Sequence, residues 1–209
     1  MASGAVYNYS VFINCPFDAR YARLFRAIVF SVLDSGFIPR CALEITDSSV
    51  ERLSKILDLI GQCRLGIHDI SRTNLDARTR LPRFNMPLEL GMFLAAKHFG
   101  EAEQRQKVCI ILDRDRYRYQ KFLSDIAGKD IHAHSNRIAS VIRIVRNWLS
   151  THQKALTPGA RVMFEKYTTF TRQLPKQCES MGPRSEELTF MDYKLLAEEW
   201  LDKYDAEAA

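Results

Sequence analysis

The sequence predicts an α/β protein with a flavodoxin-like, three-layer parallel sheet of strand order 2-1-3-4-5, followed by a C-terminal helical extension. Three observations predict it. Short apolar segments alternate with amphipathic segments of helical periodicity, which is typical of a parallel sheet with helices on both faces. The spacing of these segments favours crossovers through helices, and the order 2-1-3-4-5 accommodates them simply. After residue 157 the alternation stops and only helical patterns remain.

The strand-like segments are rich in aromatic and β-branched residues, which favours buried strands. The first ends at Cys15-Pro16, because proline cannot continue a central strand, and Pro39 places the second at an edge or an end of the sheet. The fourth segment, 107–113, is the most clearly apolar. The predicted strands cover 9–14, 37–43, 64–70, 107–113 and 130–133.

The predicted helices carry apolar residues at spacings of three and four, which draw one buried stripe along each. Asp18 is a candidate N-cap of the first helix, and Gly36 is placed to end it. A helix that is apolar on nearly every face begins near Pro87 and ends at Gly100. The other predicted helices cover 50–61, 119–126, 138–149, 161–174 and 186–204.

Thr157-Pro158-Gly159 marks a change in character along the chain. We therefore predict an α/β domain over residues 1–155 and a helical extension over 156–209. The extension is expected to pack on the domain or on a partner.

Composition excludes several classes of protein. Hydrophobic residues make up 46% and charged residues 26%, which is typical of a folded globular protein. No apolar run approaches the roughly 20 residues needed to span a bilayer, and residues 1–7 lack the pattern of a secretory signal. The five cysteines are scattered beside apolar segments, which indicates reduced and mostly buried thiols. We expect a cytoplasmic protein that does not enter a membrane.

The formal net charge of +5 permits an anionic ligand without requiring nucleic acid. The densest basic stretch, 114–121, is interleaved with Tyr117 and Tyr119. It could form a platform for phosphates or for single-stranded nucleic acid. Such a stretch is more often a solvated surface, so nucleic acid is not an expected partner.

Ligands of such sheets bind outside the carboxyl ends of the strands, where the predicted loops carry polar and aromatic residues. The arginine-rich loop over 71–85 is long for its position, which is typical of functional loops. The predicted catalytic residues are Glu89 and Asp69. The predicted substrate-binding residues are Asn14, Phe17, Asp18, Arg40, Glu44, Ser71, Arg83, Phe84 and Asn85.

Glu89 places one carboxylate in the first turn of the apolar helix, where Pro87 suits the first helical position. A carboxylate there is costly unless it is paired, hydrogen-bonded or protonated. It could cap the helix, because it lies three residues after Met86 and could bond back to the helix start. Alternatively, it is a catalytic carboxylate that faces a cleft.

Three motifs carry a resemblance to a known family. The strand ending Phe12-Ile13-Asn14-Cys15-Pro16-Phe17-Asp18, the strand ending in Asp69, and Glu89-Leu90-Gly91 at a helix start resemble the nucleoside 2-deoxyribosyltransferase-like superfamily, which includes the Toll/interleukin-1 receptor (TIR) domains. The resemblance covers roughly residues 8–150. In place of the serine- and tryptophan-bearing motif of typical TIR domains, this chain has Arg83-Phe84-Asn85-Met86-Pro87.

The resemblance implies that Glu89 acts on a ribose at an N-glycosidic bond. Deoxyribosyltransferases use this glutamate as the nucleophile, and enzymatic TIR domains use it to cleave the nicotinamide–ribose bond of NAD. The resemblance also implies a role in bacterial defence or stress signalling, with self-assembly or an activating partner protein. NAD enters as a substrate, so no cofactor is expected.

The chemistry of the candidate residues fits such a reaction. Breaking an N-glycosidic bond builds positive charge on the anomeric carbon, which a nearby carboxylate can stabilise or attack. Asn14 could hydrogen-bond the sugar or base, and Phe17 or Phe84 could stack on a ring. Asp69 could bind a ribose hydroxyl or transfer a proton.

Arg83 or Arg40 could bind a phosphate, which suits a dinucleotide better than a bare nucleoside. The sequence therefore predicts an enzyme that cleaves or rearranges the N-glycosidic bond of NAD or a related nucleotide.

Each candidate also has a structural explanation. Asn14 and Asp18 are good turn and cap residues, and Asp69 can cap the chain that follows its strand. His68 is expected to be a buried strand residue rather than a base. No metal site is expected, because no Cys or carboxylate cluster accompanies the two histidines at 132 and 134.

Three other functions remain open. The first is a nucleoside or deoxynucleotide ribosyltransferase or hydrolase, which would share the carboxylate. The second is a non-catalytic interaction module, in which Glu89 is a buried cap without an open cleft. The third is a receiver-like phosphorylation domain, against which the missing acidic cluster after the first strand counts. Cys15 lacks an evident base nearby, so it is not expected to be a nucleophile.

Overall fold

A computed structural model describes residues 4–73, 81, 83–181 and 184–208 of the chain. Five parallel strands form one sheet in the order β2-β1-β3-β4-β5, and helices flank it, so the predicted fold class is confirmed. The strands are β1 (Ser10–Asn14), β2 (Ile38–Arg40), β3 (Leu65–Asp69), β4 (Val108–Asp113) and β5 (Ile131–Ala133). The helices are α1 (Gly4–Tyr9), α2 (Ala22–Asp34), α3 (Arg52–Gly61), α4 (Asn85–Phe99), α5 (Ile138–Leu149), α6 (Ala160–Met181) and α7 (Phe190–Ala208).

Strands β1, β3 and β4 form the buried centre of the sheet. Successive side chains of a strand point to opposite faces, and β1 shows this directly. Val11 and Ile13 join the core under α2 and α5, whereas Phe12 joins the core under α3 and α4. At the edge, β2 has only three residues and contains Pro39, as a strand with one unpaired side allows.

The C-terminal helices α6 and α7 pack on α2 and α5 and share one hydrophobic core with them. Phe30 of α2 stacks on Phe170 of α6 with ring centroids 5.5 Å apart, and it also contacts Trp200 of α7. Lys166 of α6 pairs with Asp34 of α2 at 2.9 Å and with Asp205 of α7 at 2.6 Å. The extension therefore covers one face of the α/β domain.

Several helix boundaries differ from the predictions. Asp18 was expected to be the N-cap of the first helix, but α2 begins at Ala22 with Tyr21 in the N-cap position, and Asp18 accepts backbone hydrogen bonds in the preceding turn. The end of α2 is as expected, with Gly36 at φ +75°, a conformation that glycine adopts without strain. Residues 119–126 form two short 3-10 helices, Arg118–Lys121 and Ser124–Ile126, rather than one helix. Helix α6 continues past Pro175, where the sequence predicted its end, and α1 was not predicted at all.

Within the described ranges, no helix combines the length and the apolar character needed to cross a bilayer. The five cysteines are unpaired, and all except Cys109 are buried, which agrees with the prediction of mostly buried thiols.

Candidate functional site

A cleft of about 230 Å³ opens where β1 ends and α4 begins, at the edge of the sheet where ligands of this fold bind. The loop after β1, the first residue of α3 and the start of α4 form its walls. The lining residues are Cys15, Pro16, Phe17, Asp18, Arg52, Arg83, Asn85, Met86 and Glu89. Five of the predicted site residues therefore meet here: Glu89, Phe17, Asp18, Arg83 and Asn85.

Glu89 is the acidic group of α4 that faces this cleft, and its side chain is largely buried, at 8% exposure. No hydrogen bond or ion pair joins its carboxylate to any residue that the structure describes. Burial raises the pKa of Glu89 from 4.5 to about 7, and the charge of Arg52 opposes part of this rise. Among the described residues, the carboxylate thus has the charge of Arg52 as a partial compensation for desolvation but no hydrogen bond or ion pair.

The helix-cap interpretation of Glu89 requires a bond from its carboxylate to the backbone at the start of α4. Among the described residues there is no such bond. The helix begins at Asn85, so Pro87 is its third residue and not its first. The carboxylate therefore lies beyond the positions where capping side chains act.

Asn14 fixes the start of α4 from the end of β1. Its Nδ2 donates a hydrogen bond to the Met86 carbonyl oxygen at 2.8 Å and lies 3.1 Å from Nδ1 of His68. Asn14 is 2% exposed and does not line the cleft, so its predicted contact with the substrate is not supported. It acts instead as a clamp that positions the helix carrying Glu89.

His68 and Gly66 help α4 to lie close to the sheet. A side chain at Gly66 would place its Cβ 2.8 Å from Phe93 Cζ and 2.8 Å from His68 Nε2, so only glycine leaves room for both rings. Burial lowers the pKa of His68 to about 3, so the imidazole is neutral at physiological pH. His68 is thus a buried strand residue, as predicted.

Asp18 and Phe17 form the wall of the cleft that follows β1. Asp18 Oδ1 accepts hydrogen bonds from the backbone N–H of Arg20 and Tyr21, and it pairs with Arg72 at 2.8 Å. Partial burial would raise the pKa of Asp18, but these donors lower it below its usual value. Phe17 makes a T-shaped contact with Phe25 of α2, with ring centroids 5.3 Å apart, and is 36% exposed at the cleft.

Asp69 was predicted to be catalytic, but the structure does not bring it to the cleft. Its side chain is fully buried. Tyr21 donates its hydroxyl to Oδ2, the Ser71 N–H donates to Oδ1 at 2.8 Å, and His134 Nε2 lies 3.0 Å from Oδ2. Burial would raise the pKa of Asp69, but His134, Ser71 and Tyr21 lower it below its usual value. This carboxylate holds the loops after β3 and β5 together.

Besides Asn14, four predicted substrate-binding residues lie outside the lining of the cleft. Arg40 and Glu44 pair with each other at 2.7 Å near the end of β2. Ser71 is buried next to Asp69, and Phe84 is exposed at the residue before α4. Their predicted contacts with the substrate are not supported, because local partners or position keep them from the cleft.

Arg52 is a charged residue of the cleft wall that was not among the predicted site residues. It is the first residue of α3, which follows the loop after β2. Helices that follow parallel strands begin at the same edge of the sheet, so the start of α3 was a usable signal. Cys15 also lines the cleft, but burial raises its pKa well above the usual value, so its thiol is protonated at neutral pH.

No group of three or more metal-binding side chains occurs in the part of the chain that the structure describes. No protein-family model, curated protein or solved structure matches this chain.

Proposed function

We propose that the protein cleaves or rearranges the N-glycosidic bond of NAD or a related nucleotide, with Glu89 as the catalytic carboxylate. One observation carries the proposal: Glu89 is largely buried at the wall of an open cleft, and its carboxylate has no hydrogen-bond or ion-pair partner among the described residues. Protein interiors rarely retain such a group unless it serves a function, because the cost could be removed by a neutral side chain.

The proposed reaction develops a positive charge on the substrate beside the Glu89 carboxylate. The pyridinium ring of NAD is cationic, and the bond from its nitrogen to ribose C1′ breaks with both electrons leaving on nicotinamide. Positive charge then develops at C1′, where the Glu89 carboxylate stabilises it or attacks it. In the second step, either water or a nucleophilic atom of the substrate itself adds to C1′.

The other walls of the cleft suit the rest of such a substrate. Phe17 offers a ring for the base to stack on, and Arg52 and Arg83 offer cationic groups for phosphates. A volume of about 230 Å³ is smaller than the roughly 300–1,000 Å³ of pockets for drug-sized ligands. The cleft therefore suits one nucleoside unit, with the phosphates at its mouth.

The test compares the wild type with Glu89→Gln, which keeps the size of the side chain but removes its charge. We expect the wild type to release nicotinamide from NAD and the variant to be slower by at least about a thousandfold, since a lost charge at the transition state costs several kcal/mol. Glu199→Gln, an exposed change on α7, is the matched control and should keep full activity. Product chromatography at several protein concentrations measures both.

Two results would contradict the proposal. Full turnover by Glu89→Gln would remove the carboxylate from the mechanism. Base exchange between deoxynucleosides, with NAD left intact, would instead favour the ribosyltransferase, in which the same carboxylate is the nucleophile.

A further inference from the structure

A second cleft lies along β5, at the far edge of the sheet from β2. Its volume is about 370 Å³, and it is formed by the turn after β4, by β5 with the residues before it, and by one side of α5. It shares no lining residue with the Glu89 cleft, and β3 and β4 separate β5 from β1. The reaction proposed above makes no use of it.

Cationic side chains dominate this β5 cleft. Arg116, Lys129 and Arg143 line it and are exposed, and no ion pair joins any of them to another described residue. The neighbouring arginines behave differently, because Arg114 pairs with Asp115 at 2.7 Å and Arg118 is held by Asp113. Three positive charges from separate segments thus line one cleft without an ion-pair partner among the described residues.

One carboxylate, Asp130, lines the same cleft and does not balance these charges. Its side chain is 89% exposed and lies 3.6 Å from Nε2 of His132. The balance of charge in the cleft is therefore positive, which favours an anionic ligand.

Tyr117 gives the cleft an aromatic surface. Its φ of 60° lies in the left-handed region, which is uncommon for a residue other than glycine and often marks functional sites. The adjacent Arg118 anchors this turn, since its Nε donates to Asp113 Oδ1 at 2.8 Å and its Nη2 donates to the Ile70 carbonyl oxygen at 2.7 Å. The exposed ring of Tyr117 is thus carried on a fixed turn beside the three cations.

We propose that the β5 cleft binds a free nucleotide, with its phosphates on Arg116, Lys129 and Arg143 and its base stacked on Tyr117. Guanidinium and ammonium groups are the side chains that bind phosphate most strongly, and tyrosine stacks on any base. The volume lies within the range of small-molecule sites.

The residues that line a neighbouring basic hollow favour a free nucleotide over a nucleic-acid strand as the ligand. It shares Lys129 with the β5 cleft and is otherwise lined by Leu94, Lys97, His98 and Arg105, so no described Phe, Tyr or Trp lines it. Binding of a single strand normally requires aromatic platforms for successive bases. Tyr119 also lines the β5 cleft but is only 5% exposed, so among the described lining residues Tyr117, at 67% exposure, is the tyrosine whose ring a base can reach, which favours a ligand with one base.

The test uses the full chain with Glu89→Gln, so that no probe is consumed, and measures binding of ADP by calorimetry. We expect the double change Arg116→Gln/Lys129→Gln to weaken ADP binding at least about tenfold. Arg161→Gln/Lys203→Gln on α6 and α7 removes the same charge elsewhere and should change it less than about twofold. Arg52→Gln in the Glu89 cleft should also leave this binding event in place, which separates the two sites.

Variants of Tyr117 test whether the base of the nucleotide stacks on its ring. Tyr117→Leu should weaken ADP about fivefold and leave inorganic pyrophosphate unchanged, whereas Tyr117→Phe should keep both. The proposal fails if ADP does not bind at millimolar concentration, or if the Arg116/Lys129 change has no more effect than its control. It also fails if the affinity for pyrophosphate equals the affinity for ADP. Binding of a ten-residue oligothymidylate more than tenfold tighter than ADP would also contradict it and would indicate a nucleic-acid surface.

Discussion

Asp69 and Glu89 are two buried carboxylates near the carboxyl edge of the sheet. The sequence predicted both to be catalytic, but the structure gives them opposite surroundings. Asp69 accepts hydrogen bonds from Tyr21 and Ser71, lies 3.0 Å from Nε2 of His134, and has a lowered pKa. Glu89 has no hydrogen bond from the described residues, and its pKa is raised to about 7. Burial is common to both. The difference is whether the protein itself supplies the groups that stabilise the charge.

The two carboxylates consequently contribute to stability with opposite dependence on pH. The lowered pKa of Asp69 means that it stabilises the fold above its unfolded-state pKa, and this contribution is lost as the pH falls through the folded-state pKa. The raised pKa of Glu89 means that ionisation destabilises the fold as the pH rises from about 4.5 to about 7. Ionised Asp69 thus contributes to the stability of the fold, whereas ionised Glu89 lowers it.

Substituting Asp69 by asparagine should have the largest effect on stability. Each oxygen of Asp69 faces donors, so the amide nitrogen of Asn would oppose either Ser71 N–H or the pair formed by Tyr21 and His134. We expect a loss of about 3 kcal/mol in the free energy of unfolding at pH 7, measured by urea denaturation.

The activity of the same variant sharpens the comparison. The Asp69→Asn protein that remains folded should keep turnover within a few-fold of the wild type, because Asp69 does not line the cleft. A stable variant with abolished turnover would show instead that Asp69 takes part in the chemistry.

Substituting Glu89 by glutamine should stabilise the protein in a pH-dependent way. At pH 8 the wild type bears the cost of an ionised, desolvated carboxylate, and glutamine does not. A shift from 4.5 to about 7 corresponds to on the order of 2 kcal/mol after allowance for partial solvation. Thermal or urea unfolding should show this gain at pH 8 and little difference at pH 4.5.

A gain of equal size at both pH values would mean that packing, and not ionisation, separates the two proteins. Glu199→Gln is again the control, since its exposed side chain should give no pH-dependent difference.

The same two residues explain what the sequence could predict. Strand order and the position of Glu89 followed from periodicity and from the rule that parallel strands end at one edge. The expectation that α4 is buried on nearly every face was wrong, because Leu88 is 56% exposed and Phe99 is 80% exposed. The partners of Asp69 did not follow from the sequence, because Tyr21 and His134 are 48 and 65 positions away in the chain and meet it only through the packing of separate loops. Similarly, Asn14 could be placed at the edge but not assigned to the Met86 carbonyl, since side-chain orientation depends on the neighbouring helix.

Arg52 gives the smallest expected effect and the most direct measure of the environment of Glu89. Its charge favours the ionised carboxylate, so Arg52→Gln should raise the pKa of Glu89 further. In the proposed reaction the ionised form is active, and turnover in the wild type should therefore rise with pH through a midpoint near 7. The variant should move this midpoint upward by less than about one unit, because Arg52 is exposed and its field is screened.

Arg161→Gln should leave the midpoint unchanged, and added salt should reduce the difference between Arg52→Gln and the wild type. If Arg52→Gln moved the midpoint downward, or if neither Arg52→Gln nor added salt changed it, the pH dependence would belong to a group other than Glu89.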